Sequence, residues 1–281
     1  MLEGDQKPTI AIVIAIWNGV KTLQTCLDSL AGQTIRADEI VVMDGASTDG
    51  TCMVLKDNTD LLTFWKSEPD KGIYDAWNKA LDHVTADWVW FIGCDDYLSD
   101  VNVISWWKDQ LATLPESTGL IYSKVAMVAS NGKVTEEIGQ PWKVIERKQS
   151  YRMMVPHTGL LARRSLIDDV GKFDPRYRIA GDYDWFMRAL RKSDVAFRDK
   201  VTICMGDAGL SGAVATQVRT LDEFRTICRN QGRPLPLGWH RAALTVRVKA
   251  GASRILSNRM HGLLVDLVRI LTLRKPRGAA R

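Results

Sequence analysis

Two adjacent carboxylates, Asp95 and Asp96, stand where an apolar run of strand length, Trp88-Val89-Trp90-Phe91-Ile92, comes to an end. A buried strand gains nothing from charge at its tip, because moving a carboxylate into a low-dielectric interior is costly. At the carboxyl end of such a strand the pair can hold a divalent cation, which takes several oxygen ligands. Taken alone, the same pair can be a solvated turn. Two earlier apolar runs also stop on polar groups: Thr9–Ile16 gives way to Trp17-Asn18-Gly19, and Glu39–Met43 to Asp44-Gly45-Ala46-Ser47-Thr48-Asp49-Gly50. Ser47, Thr48 and Asp49 can each cap a helix, so any one of these loops has a purely structural reading.

The elements that must position these groups follow from periodicity. The continuous β-branched run Thr9–Ile16 is the pattern of a strand buried on both faces of a parallel sheet. Leu23, Leu27 and Leu30 then recur at helical spacing within Val20–Gln33. The pattern repeats: a strand at Glu39–Met43, a short helix over about Thr51–Lys56, a strand at Leu61–Lys66, and a helix over Gly72–Val84 with Ile73, Trp77, Ala80 and Leu81 on one side. The strand Trp88–Ile92 and a helix over about Val101–Leu111 complete it. Strands spaced by helices predict an α/β fold with a doubly wound sheet. Ligands of such sheets bind at the carboxyl ends of the strands, which puts Asn18, Asp44 and Asp95-Asp96 on one rim. After Gly119 the runs shorten and alternate, Leu120–Val128 and Lys133–Ile138 around Asn131-Gly132, a hairpin signal.

Composition bounds the function. The 281 residues, 46% hydrophobic and 25% charged, fit a folded globular chain rather than a disordered one. The net charge of +5 is uneven: from Leu235 to Arg281 ten basic residues face one acid, Asp266, giving +9 and leaving −4 on residues 1–234. This predicts local contact with an anionic partner and no nucleic-acid binding by the body. The five scattered cysteines lack Cys-x-x-Cys spacing, which predicts reduced thiols and no zinc site, and the acidic amino-terminal residues predict a cytoplasmic protein without a secretion signal.

Ile12–Gly19, Asp44–Thr51, Glu68-Pro69-Asp70-Lys71-Gly72-Ile73-Tyr74-Asp75-Ala76-Trp77-Asn78-Lys79-Ala80 and Phe91–Leu98 resemble, in order, the motifs of the family 2 glycosyltransferases. The spacing from Lys71 to Lys79 is similar to that of a branch that builds bacterial exopolysaccharide, capsule and O-antigen. The resemblance covers about residues 8–212. It implies an inverting enzyme of the GT-A type, a doubly wound mixed sheet flanked by helices. The donor half spans about 8–118 and the acceptor half about 119–212, within a catalytic domain 1–212. A basic helical extension, 213–281, follows.

The resemblance also implies roles. Ala15, Trp17 and Asn18 would line a nucleotide pocket, Trp17 standing where the family often has a smaller or tyrosine side chain. Asp44 would accept a hydrogen bond from the base, which suits the uracil imide of a UDP-sugar, with Ser47 in the loop beside it. Lys71 and Gly72 would approach the donor at a helix N-terminus, a favourable place for a diphosphate. Asn78 can share a face with Asp75 toward the donor, or only make an Asn–Asp contact. Asp95 would lie against the donor, and Asp95 and Asp96 would hold Mn²⁺ or Mg²⁺ as a Lewis acid at the leaving diphosphate. The family often has Asp-x-Asp-Asp here, and Gly93 stands in place of its first acid. In Ile179–Arg188, Asp182 matches the family's general base, Gly181 replaces the acid before it, and Asp184 is assigned a structural role.

His157 and Arg163, in the segment Val155–Leu166, would contact the acceptor; His157 can as well be a partly buried structural histidine, and Arg163 or Arg164 a solvated helix residue. Many relatives place a metal-binding histidine after the last strand, Lys200–Met205; here Asp207 or the Gly209–Ser211 backbone stands in its place. The tail, Trp239–Leu273 with an apolar stripe at Leu263, Leu267, Ile270 and Leu271, can lie on an anionic membrane surface or pack on the body. Membrane contact would suit a polyprenyl-pyrophosphate-linked acceptor, the protein then being peripheral on the inner face of the cytoplasmic membrane. A nucleotidyltransferase of similar architecture lacks support, since Ile16–Val20 carries no Gly-rich basic loop. A non-catalytic sugar-nucleotide-binding protein is the third alternative.

Overall fold

The computed structural model describes residues 7–146, 153–206 and 214–255. They form two compact units, one holding the described residues up to 206 and the other residues 214–255.

In the larger unit the predicted alternation is present. Strand β1 (Ile10–Ile16) lies between β2 (Glu39–Asp44) and β4 (Trp88–Gly93), with β3 (Phe64–Ser67) outside β2, all four parallel. Helix α1 (Val20–Ala31) joins β1 to β2, α2 (Thr51–Asp57) joins β2 to β3, and α3 (Ile73–Ala80) with a 3₁₀ turn (Leu81–His83) joins β3 to β4. β1 has β2 on one side and β4 on the other, and the chain leaving β4 packs on α1, where Ser29 accepts the Leu98 N–H at 3.1 Å.

The sheet then becomes mixed. Strand β5 (Asp96–Leu98) follows β4 at once, and α4 (Val103–Ala112) leads to β6 (Thr118–Val128). β7 (Val134–Ile138) folds back on β6 as the Asn131-Gly132 signal predicts. After α5 (Trp142–Ile145) and a 3₁₀ turn (His157–Gly159), β8 (Leu160–Arg163) runs antiparallel to both β4 and β6. Helices α6 (Arg164–Val170) and α7 (Gly181–Ala189) precede β9 (Asp194–Gly206), a long strand parallel to β6 and antiparallel to β5. The order is β3-β2-β1-β4-β8-β6-β9-β5, with β7 against β6.

Continuous burial explains the central strands. Ile10 to Ile14 of β1, Val41 and Val42 of β2, and Trp88 to Ile92 of β4 are sealed on both faces. Leu23, Cys26, Leu27 and Leu30 of α1 form the apolar stripe that covers one of those faces. One face assignment differs from the periodicity. Ile73 is 41% exposed and Tyr74 is buried in its place with Trp77 and Ala80, so α3 turns its aromatic residues inward. Arg163 closes β8, and Arg164 rather than Arg163 opens the helix that follows.

The smaller unit pairs α8 (Val214–Asn230) with α9 (Leu237–Ile255). Trp239 donates from Nε1 to the Leu221 carbonyl at 3.0 Å, Arg225 lies over its ring, and Arg247 pairs with Asp222. Pro234 and Pro236 lie between the two helices, where neither has to continue one. The stripe Leu263–Leu271 lies outside the described residues. No helix among the described residues is long and apolar enough to cross a membrane.

Candidate active site at the carboxyl rim

Asp44, the last residue of β2, is 1% exposed and organises the loops around it. Its Oδ1 accepts the Ser47 hydroxyl; its Oδ2 accepts the Ser47 N–H at 3.0 Å, the Ser67 hydroxyl at 2.5 Å and the Cys52 thiol at 3.4 Å. The Asp44 carboxylate is therefore covered by Ser47 of the loop that follows it and by Ser67 at the end of β3. Ser47 also receives the Asn18 N–H at 2.7 Å, while Asn18 Oδ1 accepts from Thr48 N–H at 2.9 Å, so Asn18 and Ser47 lock the β1 and β2 loops together. Asn18 does so in the left-handed region, φ 51°, which Asn tolerates better than most residues. Trp17, 70% exposed, projects from this lock, and Ala15 is half-buried at the end of β1 opposite Met43 and Gly93.

The acid pair after β4 divides into two environments. Asp95 is exposed; Asp96 starts β5 and is 2% exposed. Asp96 Oδ2 accepts the Gly93 N–H at 2.7 Å, and its Oδ1 is buried without a partner. Burial first, and the charge of Asp95 with it, push the Asp96 carboxyl up to about 7, against the lowering effect of the Gly93 N–H. Both carboxylates crowd Gly93: a Cβ there would lie 2.7 Å from Asp95 Oδ1 and 3.0 Å from Asp96 Oδ2. The missing first acid thus has a physical cause, since the space it would need is filled by the other two. An orphaned buried carboxylate oxygen beside an exposed carboxylate fits a divalent cation. Among the described residues no group of three or more His, Cys, Asp or Glu side chains is placed to hold a metal ion. Asp207 and Gly209–Ser211 lie outside the described residues.

Helix α3 brings the third group. Gly72 precedes it at φ 116°, in the region glycine favours, and donates its N–H to Asp70 at 2.7 Å. The Lys71 N–H is held by Asp75 at 3.0 Å, the Lys71 carbonyl accepts from Arg178, and the exposed Lys71 side chain makes no hydrogen bond among the described residues. Asn78 does not face the donor side. Its amide makes a two-way clasp on the backbone of Phe173, donating to the carbonyl at 2.8 Å and accepting the N–H at 2.9 Å, so both of its polar ends are used.

Asp182 sits in the first turn of α7. Its Oδ1 lies 2.8 Å from the Tyr183 N–H and 3.2 Å from the Tyr74 hydroxyl; Oδ2 has no hydrogen bond among the described residues. Gly181 replaces the preceding acid because the Tyr74 ring occupies that space, with ring carbons 2.7 Å from where a Cβ would be. Asp184, buried, pairs with Arg188 at 3.0 Å, the structural role expected of it. His157 stacks on Trp77 at 4.9 Å, near Phe91 and Phe173, and both ring nitrogens are buried without a partner. Burial lowers its pKa. Its nitrogens cannot meet an acceptor in this arrangement; the ring is part of an aromatic layer under α3. Arg163 is not brought to the rim either. Its β8 register partner is Trp88, the first residue of β4, and its guanidinium lies 4.7 Å from the Trp88 ring, at the end of the strand opposite Asp95. The Arg-Arg spacing could not reveal this, because strand direction decides it. Sequence reading missed Tyr74, Ser67 and Arg178. Tyr74 alone had a signal, an aromatic inside the Lys71–Lys79 motif.

A PGL/p-HBAD biosynthesis glycosyltransferase of Mycobacterium bovis is 29% identical over 187 residues, which cover 64% of this chain and 69% of that one. The mannosyltransferase PcManGT from Pyrobaculum calidifontis, solved with GDP-Man and Mn²⁺, superposes with a TM-score of 0.64 at 18% identity, over 97% of this chain and 82% of that one. S. aureus TarS 1–349, solved with UDP-GlcNAc, gives 0.61 at 18% identity over 90% and 78%; this chain spans 47% of the longer TarS chain. These likenesses show the GT-A fold. The profile described as Glycosyl transferase family 2 matches residues 11–170, and with more than half of its length so matched the chain belongs to that family of glycosyltransferases.

Proposed function

We propose that the protein is an inverting, metal-dependent glycosyltransferase that moves a sugar from a nucleotide sugar, a UDP-sugar, to a hydroxyl of a lipid-linked or oligosaccharide acceptor in bacterial surface-polysaccharide assembly. The observation that carries the reading is the fastening of Asp182 to the helix that begins at Lys71-Gly72, through the Tyr74 hydroxyl 3.2 Å from its Oδ1. A carboxylate with one oxygen that has no hydrogen bond among the described residues is tied to a helix N-terminus whose Lys71 side chain makes none among them either. The first suits proton removal and the second a diphosphate.

In the reaction the acceptor hydroxyl oxygen bonds to the anomeric carbon as the bond from that carbon to the diphosphate oxygen breaks. The hydroxyl proton passes to Asp182 Oδ2, and the nucleoside diphosphate leaves with the bonding electrons. Inversion follows from attack on the face opposite the leaving group. Asp95 and Asp96 would hold Mn²⁺ or Mg²⁺, which supplies charge neutralisation for the departing diphosphate. Trp17, exposed beside the Asn18–Ser47 lock, offers a flat surface to a base, and Ser47 and Ser67 offer hydroxyls above Asp44. The mannosyltransferase and TarS structures hold GDP-Man and UDP-GlcNAc, which supports a nucleotide-sugar donor here. The excess of ten basic residues over one acid from Leu235 onward supports peripheral contact with an anionic membrane.

A thermal-shift panel of UDP-glucose, UDP-N-acetylglucosamine and GDP-mannose, each with and without Mn²⁺, tests the donor class, because a ligand that binds the folded state raises its melting temperature. Metal-dependent stabilisation by a UDP-sugar is expected, and none by any member of the panel would overturn the reading. Replacing Asp182 with Asn should abolish turnover with stabilisation by the donor retained. Sedimentation with vesicles containing phosphatidylglycerol, lost when residues 263–281 are deleted, tests the membrane contact.

A further inference from the structure

The Tyr74 hydroxyl has one proton and two oxygens that compete for it. The Ile179 carbonyl lies 2.7 Å away and Asp182 Oδ1 3.2 Å away. A hydroxyl can donate only once, so it serves one oxygen at a time by rotating about its C–O bond. The ring that carries it is clamped. Tyr74 is buried against Trp77 at 5.5 Å and Phe173 at 5.8 Å, and its far edge lies where a Cβ on residue 181 would be. Any residue but glycine at 181 would push the ring away, so the glycine and the tyrosine fit as a pair. Arg178, four residues before Asp182, donates to the Lys71 carbonyl, a second tie between the same two segments.

From this arrangement we infer that Tyr74 is a positioning residue for Asp182: its hydroxyl, together with the Tyr183 N–H, holds Oδ1 so that Oδ2 alone faces the incoming hydroxyl. The inference rests on the reading of Asp182 as the base. It adds a division of labour between the two carboxylate oxygens and a partner 108 positions away in the chain. While Asp182 is an anion, the Tyr74 proton is drawn to Oδ1, since hydrogen bonds to charged acceptors are the stronger ones. Once Oδ2 has taken the acceptor proton, Oδ1 becomes a weaker, neutral acceptor and the Tyr74 proton turns to the Ile179 carbonyl. The hydroxyl thus supports both protonation states and keeps the carboxyl in one orientation throughout. No proton leaves Tyr74 in the cycle. Burial and the neighbouring Asp182 charge both push the Tyr74 hydroxyl well above its ordinary range, which keeps it a donor. The arrangement also ties the orientation of the base to the segment that starts at Lys71-Gly72, the side from which a donor would come.

Tyr74→Phe keeps the ring, and with it the contact on Gly181, while deleting the hydroxyl. Turnover is read as nucleoside diphosphate released from whichever of UDP-glucose, UDP-N-acetylglucosamine and GDP-mannose the wild type consumes; donor affinity is read by calorimetry with UDP and Mn²⁺, and folding by the melting temperature. A fall in kcat of about ten- to a hundredfold, with KM for the donor, UDP affinity and melting temperature close to wild type, is the expected result. Wild-type kcat in Tyr74→Phe, alongside an inactive Asp182→Asn, would overturn the inference and leave the base assignment standing. An active Asp182→Asn would overturn the base assignment itself. A loss of kcat that arrives with a lowered melting temperature and weakened UDP binding would assign Tyr74 a packing role and overturn the inference. Gly181→Ala is the second variant. It displaces the ring while keeping both the Tyr74 hydroxyl and the Asp182 carboxylate in the chain, and it should reproduce the kcat loss; wild-type kcat in a folded Gly181→Ala would count against positioning by Tyr74.

Discussion

Asp95 and Asp96 are consecutive residues with opposite surroundings: Asp95 is exposed, and Asp96 is 2% exposed with one oxygen on the Gly93 N–H and the other unpartnered. The two should therefore fail differently when neutralised. Burial raises the Asp96 carboxyl to about 7 from an ordinary 3.8, so in metal-free protein its penalty is absent below about pH 4, grows as pH rises and is complete above pH 7. It amounts to at most about 4 kcal/mol. Asp96→Asn should raise the melting temperature in EDTA at pH 8, whereas Asp95→Asn, which removes only the smaller contribution of the neighbouring charge, should raise it less. With saturating Mn²⁺ wild type should regain the lost stability and both variants should lose metal-stimulated turnover.

Gly93→Ala tests the crowding beneath the pair. The nearer contact of the added Cβ is Asp95 Oδ1, the far end of an exposed side chain that can swing away; the other is the fixed Asp96 Oδ2. Displacing Asp95 costs little folding energy, within about 1 kcal/mol. The concentration of Mn²⁺ needed for half-maximal turnover should rise several-fold at nearly constant melting temperature. By the same geometry Gly93→Asp, although it supplies the acid common in the family, should weaken metal activation.

The parts of the site that the sequence displays are those fixed by where an apolar run stops. Asn18, Asp44 and Asp95 are legible because β1, β2 and β4 are buried runs whose ends are abrupt, and parallel pairing puts those ends on one side. What direction and side-chain partners decide was not legible. Arg163 looks like a site residue until β8 is seen to run antiparallel to β4, which carries it to the wrong end. Asn78 has a site-like place on α3, yet its partner is backbone 95 positions away, which no local spacing encodes. Tyr74 escaped notice for the converse reason: helical periodicity offered Ile73 as the apolar residue at the start of α3, and only the space above Gly181 explains why the aromatic turns inward instead. The two departures from the family pattern, Gly93 and Gly181, read in the sequence as losses, and each is a clearance for a neighbouring side chain.

Asn78→Ala should behave as a stability variant. It leaves the Phe173 N–H and carbonyl without their partners in a half-buried place, and each orphaned group costs about 1–3 kcal/mol. A drop in unfolding free energy of about 2–4 kcal/mol in urea is expected, with the affinity of the folded fraction for UDP and Mn²⁺ unchanged. A loss of UDP affinity at unchanged stability would return Asn78 to the donor site.

His157 gives the sharpest pH signature. Its ring is enclosed by Trp77, Phe91 and Phe173, and its 3₁₀ turn is pinned to β4 by the Trp90 Nε1–H donating to the Thr158 carbonyl at 2.6 Å. Burial lowers its pKa below 6.5, and the one charge that opposes this, Asp182, does not overcome it. The sign follows directly. Below about pH 6.5 the unfolded chain takes up a proton that the folded chain refuses, so folding stability is whole above that pH and falls as the solution is acidified toward the folded-state pKa. His157→Phe keeps an aromatic ring in the layer and removes the titrating group. Its repacking cost is the same at every pH, so the comparison between two pH values cancels it. The melting temperature of wild type should drop more between pH 8 and pH 5.5 than that of His157→Phe, and equal drops would mean that His157 is protonated in the folded protein. Were the ring instead to contact the acceptor through a nitrogen, His157→Phe would raise KM for the acceptor; with both nitrogens enclosed, KM should stay put and only the acid limb of stability should move.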